Sequence, residues 1–217
     1  MLKYSRYVYL SLICLFSVMA TAAEESFQLD KDYRLISPST SAAAPTTANK
    51  KIKVTEFFSY GCPWCYKLES ELGLWLLNQP KNVDFERVAV IFEPGWPELA
   101  KAYYITDKLG LHAKMNSLLF MAVQLQGVDL STQQALQKYF VENGVTKQAF
   151  EKAYADADLE KRVKSGDSLM REYQIYEVPS FVVDGKYKTN MALASGDSKK
   201  LLRILDFLIN KASKENK

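Results

Sequence analysis

The spacing of hydrophobic positions changes along the chain, and the changes divide it into three blocks. A strand-like run at 53–59 predicts a buried strand, in which Val54, Glu56 and Phe58 alternate with Thr55, Phe57 and Ser59. In the next segment, 65–78, leucines and a tryptophan recur at helical spacing, and 83–92 is again rich in strand formers. These segments predict a β-α-β unit. A short edge strand is expected before them, at 33–36.

The central block, 98–173, has helical periodicity throughout. Two helix starts can be predicted inside it. Ser131 and Gln134 have the spacing of a capping box, and Thr146 is expected to be an N-cap. The block therefore predicts several consecutive helices without an intervening strand.

The last block returns to strands and then to one helix. Two strands, 180–183 and 186–189, are expected to form a hairpin around Asp184-Gly185, because this pair tolerates the positive φ of tight turns. Residues 198–211 predict an amphipathic helix. The order is that of thioredoxin, so we predict an α/β protein with a thioredoxin fold. Its βαβ and ββα halves surround a central mixed sheet and carry an inserted α-helical subdomain.

The first 23 residues have the pattern of a secretory signal peptide, with Lys3 and Arg6, an apolar stretch and a small-residue cleavage site near 22–23. Cys14 lies in this segment, so the expected mature chain keeps two cysteines. Loss of the two basic residues lowers the formal net charge from +3 to about +1, which gives no reason to expect nucleic-acid binding. We predict this division of the chain: signal peptide 1–23; edge strand and Ser/Ala/Pro/Thr-rich linker 24–50; first thioredoxin half 51–97; helical insert 98–173; second thioredoxin half 174–217.

The two remaining cysteines form the sequence Cys62-Pro63-Trp64-Cys65, where the first strand meets its helix. At such a junction, free backbone N–H groups and the positive end of the helix dipole point toward the Cys62 sulfur. Cysteines in this setting have pKa values lowered to roughly 3.5 to 7.5, and the thiolate is the attacking species in disulfide exchange. Pro63 fits the first helical turn, which does not use its missing N–H. The motif therefore predicts a redox-active pair.

Two stretches resemble the signatures of the DsbA family of periplasmic disulfide oxidoreductases. The first is 56–66, Glu-Phe-Phe-Ser-Tyr-Gly-Cys-Pro-Trp-Cys-Tyr, and the second is 178–187, Val-Pro-Ser-Phe-Val-Val-Asp-Gly-Lys-Tyr. Their separation leaves room for a helical insertion, so the resemblance extends over nearly the whole mature chain apart from the linker. It implies thiol:disulfide exchange at Cys62 and Cys65.

The resemblance also implies roles for residues around the cysteines. Val178-Pro179 resembles the family's X-cis-Pro element, which lies against the cysteine pair and offers backbone groups to a bound peptide; the alternative is an ordinary turn proline. Glu56 resembles a buried acid that moves protons when Cys65 is deprotonated, and the alternative is a glutamate facing water at a strand edge. Trp64 stands where these oxidases usually carry His. We therefore expect a weaker oxidant, with the exposed indole helping to bind peptides.

The resulting hypothesis is a periplasmic enzyme that donates the Cys62–Cys65 disulfide to reduced exported proteins through a mixed disulfide. The resemblance implies a monomer without cofactor or metal, reoxidised by a DsbB-like membrane quinone reductase.

Three alternatives remain. A reductase or isomerase could use the same site in reverse, although such isomerases carry Thr where this chain has Val178. A peptide-binding chaperone could use the pair as a structural disulfide, although so short a loop stabilises little. A zinc site is disfavoured, because structural zinc takes four ligands and the mature chain adds only His112, which we expect to be structural.

Overall fold

The computed structural model describes residues 26–36 and 51–216. The expected signal peptide at 1–23, with Cys14, and the expected linker at 37–50 lie outside them. The strands are β1 (Arg34–Leu35), β2 (Ile52–Phe58), β3 (Val83–Ala89), β4 (Ser180–Val183) and β5 (Tyr187–Asn190). The helices are α1 (Pro63–Leu77), α2 (Trp96–Lys108), α3 (His112–Gln124), α4 (Gln133–Glu142), α5 (Lys147–Tyr154), α6 (Ala157–Glu172) and α7 (Ser198–Glu215). None of these helices is both long and apolar enough to cross a bilayer.

The strands form one mixed sheet in the order β1-β5-β4-β2-β3. Only β2 and β3 are parallel, and α1 connects them; the other neighbours are antiparallel. Asp184 and Gly185 both have positive φ, as predicted for the turn between β4 and β5. With α7 after this hairpin, the sheet combines a βαβ and a ββα half, and the predicted thioredoxin fold is confirmed.

β2 is the central strand, and its residues pack on both faces of the sheet. Of its seven residues only Lys53 is exposed. Val54 packs with α1 and α7 on one face, whereas Phe57 packs with Val88 and with Met170 of α6 on the other. Four of its residues are apolar, namely Ile52, Val54, Phe57 and Phe58, while Thr55 and Glu56 are polar residues buried with them.

Five consecutive helices, α2 to α6, form the insert between the two halves and cover the end of the sheet where β2 finishes. Phe58, the last residue of β2, makes an edge-to-face contact with Tyr60, with ring centroids 5.3 Å apart. The two rings also pack against Tyr103 of α2 and Phe120 of α3. This aromatic cluster attaches the insert to the segment that leads into the cysteine motif.

Two helix starts within the insert test the capping predictions. Thr146 is the N-cap of α5, as predicted, and its hydroxyl accepts the Ala149 N–H at 3.2 Å. The capping box predicted at Ser131 is wrong, because α4 begins one residue later with Thr132 as its N-cap. The Ser131 N–H instead donates to the Asp129 carboxylate at 2.9 Å, which places Ser131 in the preceding turn.

Candidate functional site

Cys62 is the N-cap of α1, directly after the central strand. Its backbone is extended, with φ −91° and ψ 116°, and its sulfur accepts the Cys65 N–H at 3.2 Å. Pro63 is the first residue of the helix, where a missing N–H costs nothing. The two cysteines are free thiols, with 5% of Cys62 and 1% of Cys65 exposed. The site is therefore in its dithiol form, and Cys62 lies nearer to solvent than Cys65.

The two thiols differ in acidity because their surroundings differ. A hydrogen bond from the Cys65 thiol lowers the pKa of Cys62, the backbone N–H groups of Trp64 and Cys65 lower it further, and burial opposes them. Burial raises the pKa of Cys65 well above its ordinary value, and the negative charge of a Cys62 thiolate raises it again. Cys62 is thus the thiol that ionises first.

The Val178–Pro179 peptide bond is cis and lies against the cysteine motif. The Cys62 thiol donates a hydrogen bond to the Val178 carbonyl oxygen at 3.3 Å, across 116 positions of sequence. The second signature of the sequence therefore meets the first at the Cys62 sulfur, and the alternative of an ordinary turn proline is wrong.

Trp64 is the large exposed side chain of the motif, with 46% of its surface accessible. The Lys67 ammonium lies 4.4 Å from the centroid of its ring. The indole thus presents an apolar face beside Cys62, as expected.

Gly61, immediately before Cys62, is in close contact with the side chain of Trp96 at the start of α2. A Cβ atom built on Gly61 would lie 2.3 Å from the indole nitrogen, so only glycine fits here without a shift. The indole therefore restricts the backbone that leads into Cys62.

Glu56 lies inside the sheet and is 1% exposed. Its strand is paired on both sides, with Arg87 as its partner on β3 and Phe181 as its partner on β4. The alternative of an edge glutamate facing water is therefore wrong. Burial raises the pKa of Glu56 to about 7, with Arg87 opposing and the negative charge of Glu69 adding to the rise.

Arg87 connects Glu56 to a second carboxylate. Its Nε donates to Glu56 Oε2 at 2.6 Å. Its Nη1 and Nη2 donate to the two oxygens of Glu69, on α1, at 3.2 and 2.8 Å. The guanidinium is thus shared by two acids, and together they hold its pKa above the ordinary value against the effect of burial.

Sequence reasoning missed both Arg87 and Glu69. Arg87 did carry a signal, since it is a charged residue in a strand-forming segment that also contains Phe85 and Val88. The pairing with Glu56 depends on the register between β2 and β3, which the sequence pattern does not specify.

His112 takes no part in this arrangement. It lies at the start of α3, where its ring nitrogen pairs with Asp107 at 2.9 Å and its ring packs against Tyr103. Within residues 26–36 and 51–216, no cluster of three or more His, Cys, Asp and Glu side chains could hold a metal ion.

Comparison with known proteins relates this chain to DsbA proteins, both in sequence and in structure. Residues 74–205 match the family described as DSBA-like thioredoxin domain. The chain is 33% identical over 191 residues to the thiol:disulfide interchange protein DsbA of Burkholderia cepacia, with 88% of each chain covered. A crystal structure of Pseudomonas aeruginosa DsbA matches with a TM-score of 0.79 and 26% identity, over 87% of this chain and 96% of that one. DsbA of Xylella fastidiosa gives a TM-score of 0.74 at 27% identity, over 84% and 96%.

Proposed function

This chain is a thiol:disulfide oxidoreductase of the DsbA family, and on that premise we propose that it donates the Cys62–Cys65 disulfide to reduced exported proteins in the periplasm. The observation that carries the proposal is the asymmetry of the pair. Cys62 is nearer to solvent, caps a helix and has a lowered pKa, whereas Cys65 is enclosed and has a raised one. A good leaving thiolate that faces the client is what an oxidase needs at the attacked sulfur.

The reaction proceeds in two exchanges. A client thiolate attacks the Cys62 sulfur, the bond between Cys62 and Cys65 breaks, and Cys65 leaves with the electron pair and takes up a proton. The client's second thiolate then attacks the client sulfur of this mixed disulfide and displaces Cys62 as a thiolate. The client has lost two electrons, which the cysteine pair has gained. It has also lost two thiol protons, of which one is balanced by the proton taken up by Cys65 and the other goes to solvent.

Glu56 is the proton carrier of this cycle. A carboxyl with a pKa of about 7 can hold or release a proton near neutral pH, which an exposed glutamate cannot do. It gives its proton as Cys65 becomes a thiol, and it accepts one when Cys65 must attack. The charges of Glu56 and Cys65 also oppose each other, so ionisation of one favours protonation of the other.

Val178, Pro179 and Trp64 form the peptide-binding surface. In the dithiol form the Val178 carbonyl accepts the Cys62 thiol. When Cys62 is in a disulfide, that thiol proton is gone, and the carbonyl is available to an extended client segment. The exposed indole of Trp64 supplies apolar contact next to the reacting sulfur. Substrate binding and the redox state of Cys62 are thus coupled through one carbonyl oxygen.

The enzyme works as a monomer in which 51–97 and 174–217 are the thioredoxin halves and 98–173 is the insert. A DsbB-like membrane quinone reductase regenerates the disulfide, because each turnover leaves a dithiol whose two electrons must pass to an oxidant. The signal peptide expected at 1–23 supports export. Val178 before Pro179 supports the oxidase over the isomerase.

Two measurements test the proposal. Equilibration with glutathione gives the reduction potential: a value near or above roughly −180 mV supports a disulfide donor, and a value near roughly −270 mV supports a reductase instead. Turnover of a reduced two-cysteine peptide should be lost in Cys62→Ser. In Cys65→Ser, the Cys62 thiolate can attack a peptide that already carries a disulfide, but no second cysteine is present to resolve the product; a covalent complex between Cys62 and this oxidised peptide should accumulate and be visible by mass spectrometry. Full turnover in Cys62→Ser would refute the role of Cys62, whereas binding of the peptide by the wild-type protein without any turnover would leave only the chaperone alternative.

A further inference from the structure

The acids beneath the cysteines are connected to the helical insert through one side chain. Asn116 lies on α3, and its amide nitrogen donates to Glu69 Oε1. Its amide oxygen accepts the Tyr60 hydroxyl at 3.0 Å. The hydrogen-bonded series Glu56, Arg87, Glu69, Asn116 and Tyr60 therefore includes residues from both strands of the parallel pair, from α1 and from the insert.

The orientation of this amide is determined by its partners. The Glu69 carboxylate can only accept, so the Asn116 nitrogen must face it and the oxygen must face Tyr60. Tyr60 is 1% exposed, and burial raises its pKa well above the ordinary value, so its hydroxyl stays protonated and donates. Its ring is held by edge-to-face contacts with Phe58 and Phe120. A flip of the amide would break the hydrogen bond to Glu69 and place the amide oxygen against the carboxylate.

Glu69 is the acid that needs such a restraint. Its side chain is 21% exposed, compared with 2% for the side chain of Glu56, so it alone has a path toward water. A carboxylate that swung outward would abandon both guanidinium nitrogens of Arg87. The hydrogen bond from the Asn116 amide nitrogen opposes that rotation of the Glu69 side chain.

We propose that Asn116 is a positioning residue of the redox site, which holds Glu69 on Arg87 and thereby sets how readily Glu56 gives up its proton. The inference rests on the proposed function of Glu56 as proton carrier. Asn116 itself touches neither cysteine in this arrangement; its action passes through Glu69. The helical insert would then regulate proton transfer as well as covering the site.

The direction of the effect follows from the charges that face Glu56. The charged and titratable groups that face Glu56 come from several elements: Arg87 on β3, Glu69 and Cys65 on α1, Cys62 at its start, and the neutral Tyr60 in the preceding loop and Tyr103 on α2. Glu69 raises the pKa of Glu56, and Arg87 lowers it. Any change that moves or neutralises Glu69 should therefore lower the pKa of Glu56, and additional negative charge near Glu69 should raise it.

The test is a carboxyl ¹³C NMR titration of Glu56 in the reduced full-length mature protein. Asn116→Leu keeps the branched shape but removes both hydrogen bonds, and it should lower the Glu56 midpoint by about one pH unit. Glu69→Gln removes the charge that Asn116 holds in place, and it should lower the midpoint as well. The matched control is Tyr139→Phe. It removes the 2.8 Å hydrogen bond from the Tyr139 hydroxyl to the Leu118 carbonyl oxygen on α3, the helix that carries Asn116, and it should leave the Glu56 midpoint unchanged.

A Glu56 midpoint in Asn116→Leu that equals wild type, or lies above it, would overturn the inference. If Asn116→Leu does not fold, Asn116→Ser, which is smaller and too short to hold Glu69, takes its place with the same expected direction of shift. A second measurement separates this inference from the proposed function: the pH dependence of mixed-disulfide resolution by Cys65. Shifted NMR midpoints with an unshifted rate profile would support the positioning role of Asn116 and remove Glu56 from the reaction.

Discussion

Replacing Glu56 by glutamine should change the pH dependence of stability by a predictable amount. In the folded protein, burial raises the pKa of this carboxyl from an ordinary value of 4.5 to about 7. Between these values the unfolded chain has released its proton and the folded chain has kept it, so the free energy of unfolding falls as pH rises. The slope is about 1.4 kcal/mol per pH unit for one proton. Over the whole window the loss is about 3 kcal/mol, complete once pH exceeds the folded pKa.

The assay is urea unfolding followed by circular dichroism from pH 4 to pH 8.5, since uncharged urea does not screen the ion pair with Arg87. Both proteins should carry Cys62→Ser and Cys65→Ser, so that no thiol titrates in the window. The parent should lose about 3 kcal/mol relative to Glu56→Gln as pH rises. Asp84→Asn, on an exposed part of β3, is the matched control and should follow the parent. Parallel pH profiles for the parent and Glu56→Gln would refute the reasoning.

Three further predictions concern other parts of the molecule. Trp64→His should make the protein a stronger oxidant, by about 30 mV for each 1.4 kcal/mol of thiolate stabilisation, measured against glutathione; an unchanged potential would mean that the backbone alone sets thiolate stability. Gly61→Ala should destabilise by about 1–3 kcal/mol, because its Cβ would overlap the Trp96 indole. In a double-mutant cycle with Trp96→Ala that cost should shrink, and strict additivity would exclude the clash. Thr146→Ala should cost about 1 kcal/mol in urea unfolding through loss of the cap to Ala149, and unchanged stability would contradict it.

The features that could be predicted from sequence are those encoded locally. The position of the cysteine motif in the fold could be predicted, since proline at its second place and a strand-forming segment before it define a strand-to-helix junction. The Asp184-Gly185 turn likewise needs only its two residues. The first residue of α4 was ambiguous, because Ser131 and Thr132 are both good N-caps. The hydrogen bond from the Ser131 N–H to Asp129 keeps Ser131 in the preceding turn and leaves Thr132 as the cap.

The partners of Glu56 could not be predicted, because they depend on geometry between distant segments. Arg87 reaches Glu56 only in the observed register of β2 and β3, and a shift of one residue would turn it to the opposite face. Asn116 reaches Glu69 only because α3 docks beside α1. A polar residue on a helical insert gives no sequence signal that distinguishes this contact from exposure to solvent.

Because Cys62 is the N-cap of α1, the reduction potential of the cysteine pair is linked to the stability of the fold. In the dithiol protein its sulfur accepts an N–H of the first helical turn, and this bond strengthens as the thiolate forms. In a disulfide that sulfur carries no charge, so the cap is weaker. Folded, unfolded, oxidised and reduced forms make a closed thermodynamic cycle. Whatever the cap adds to the reduced fold therefore reappears in the potential, at about 30 mV per 1.4 kcal/mol. Once the potential of the unfolded chain is known, denaturation curves of the two redox forms measure oxidising strength without any client.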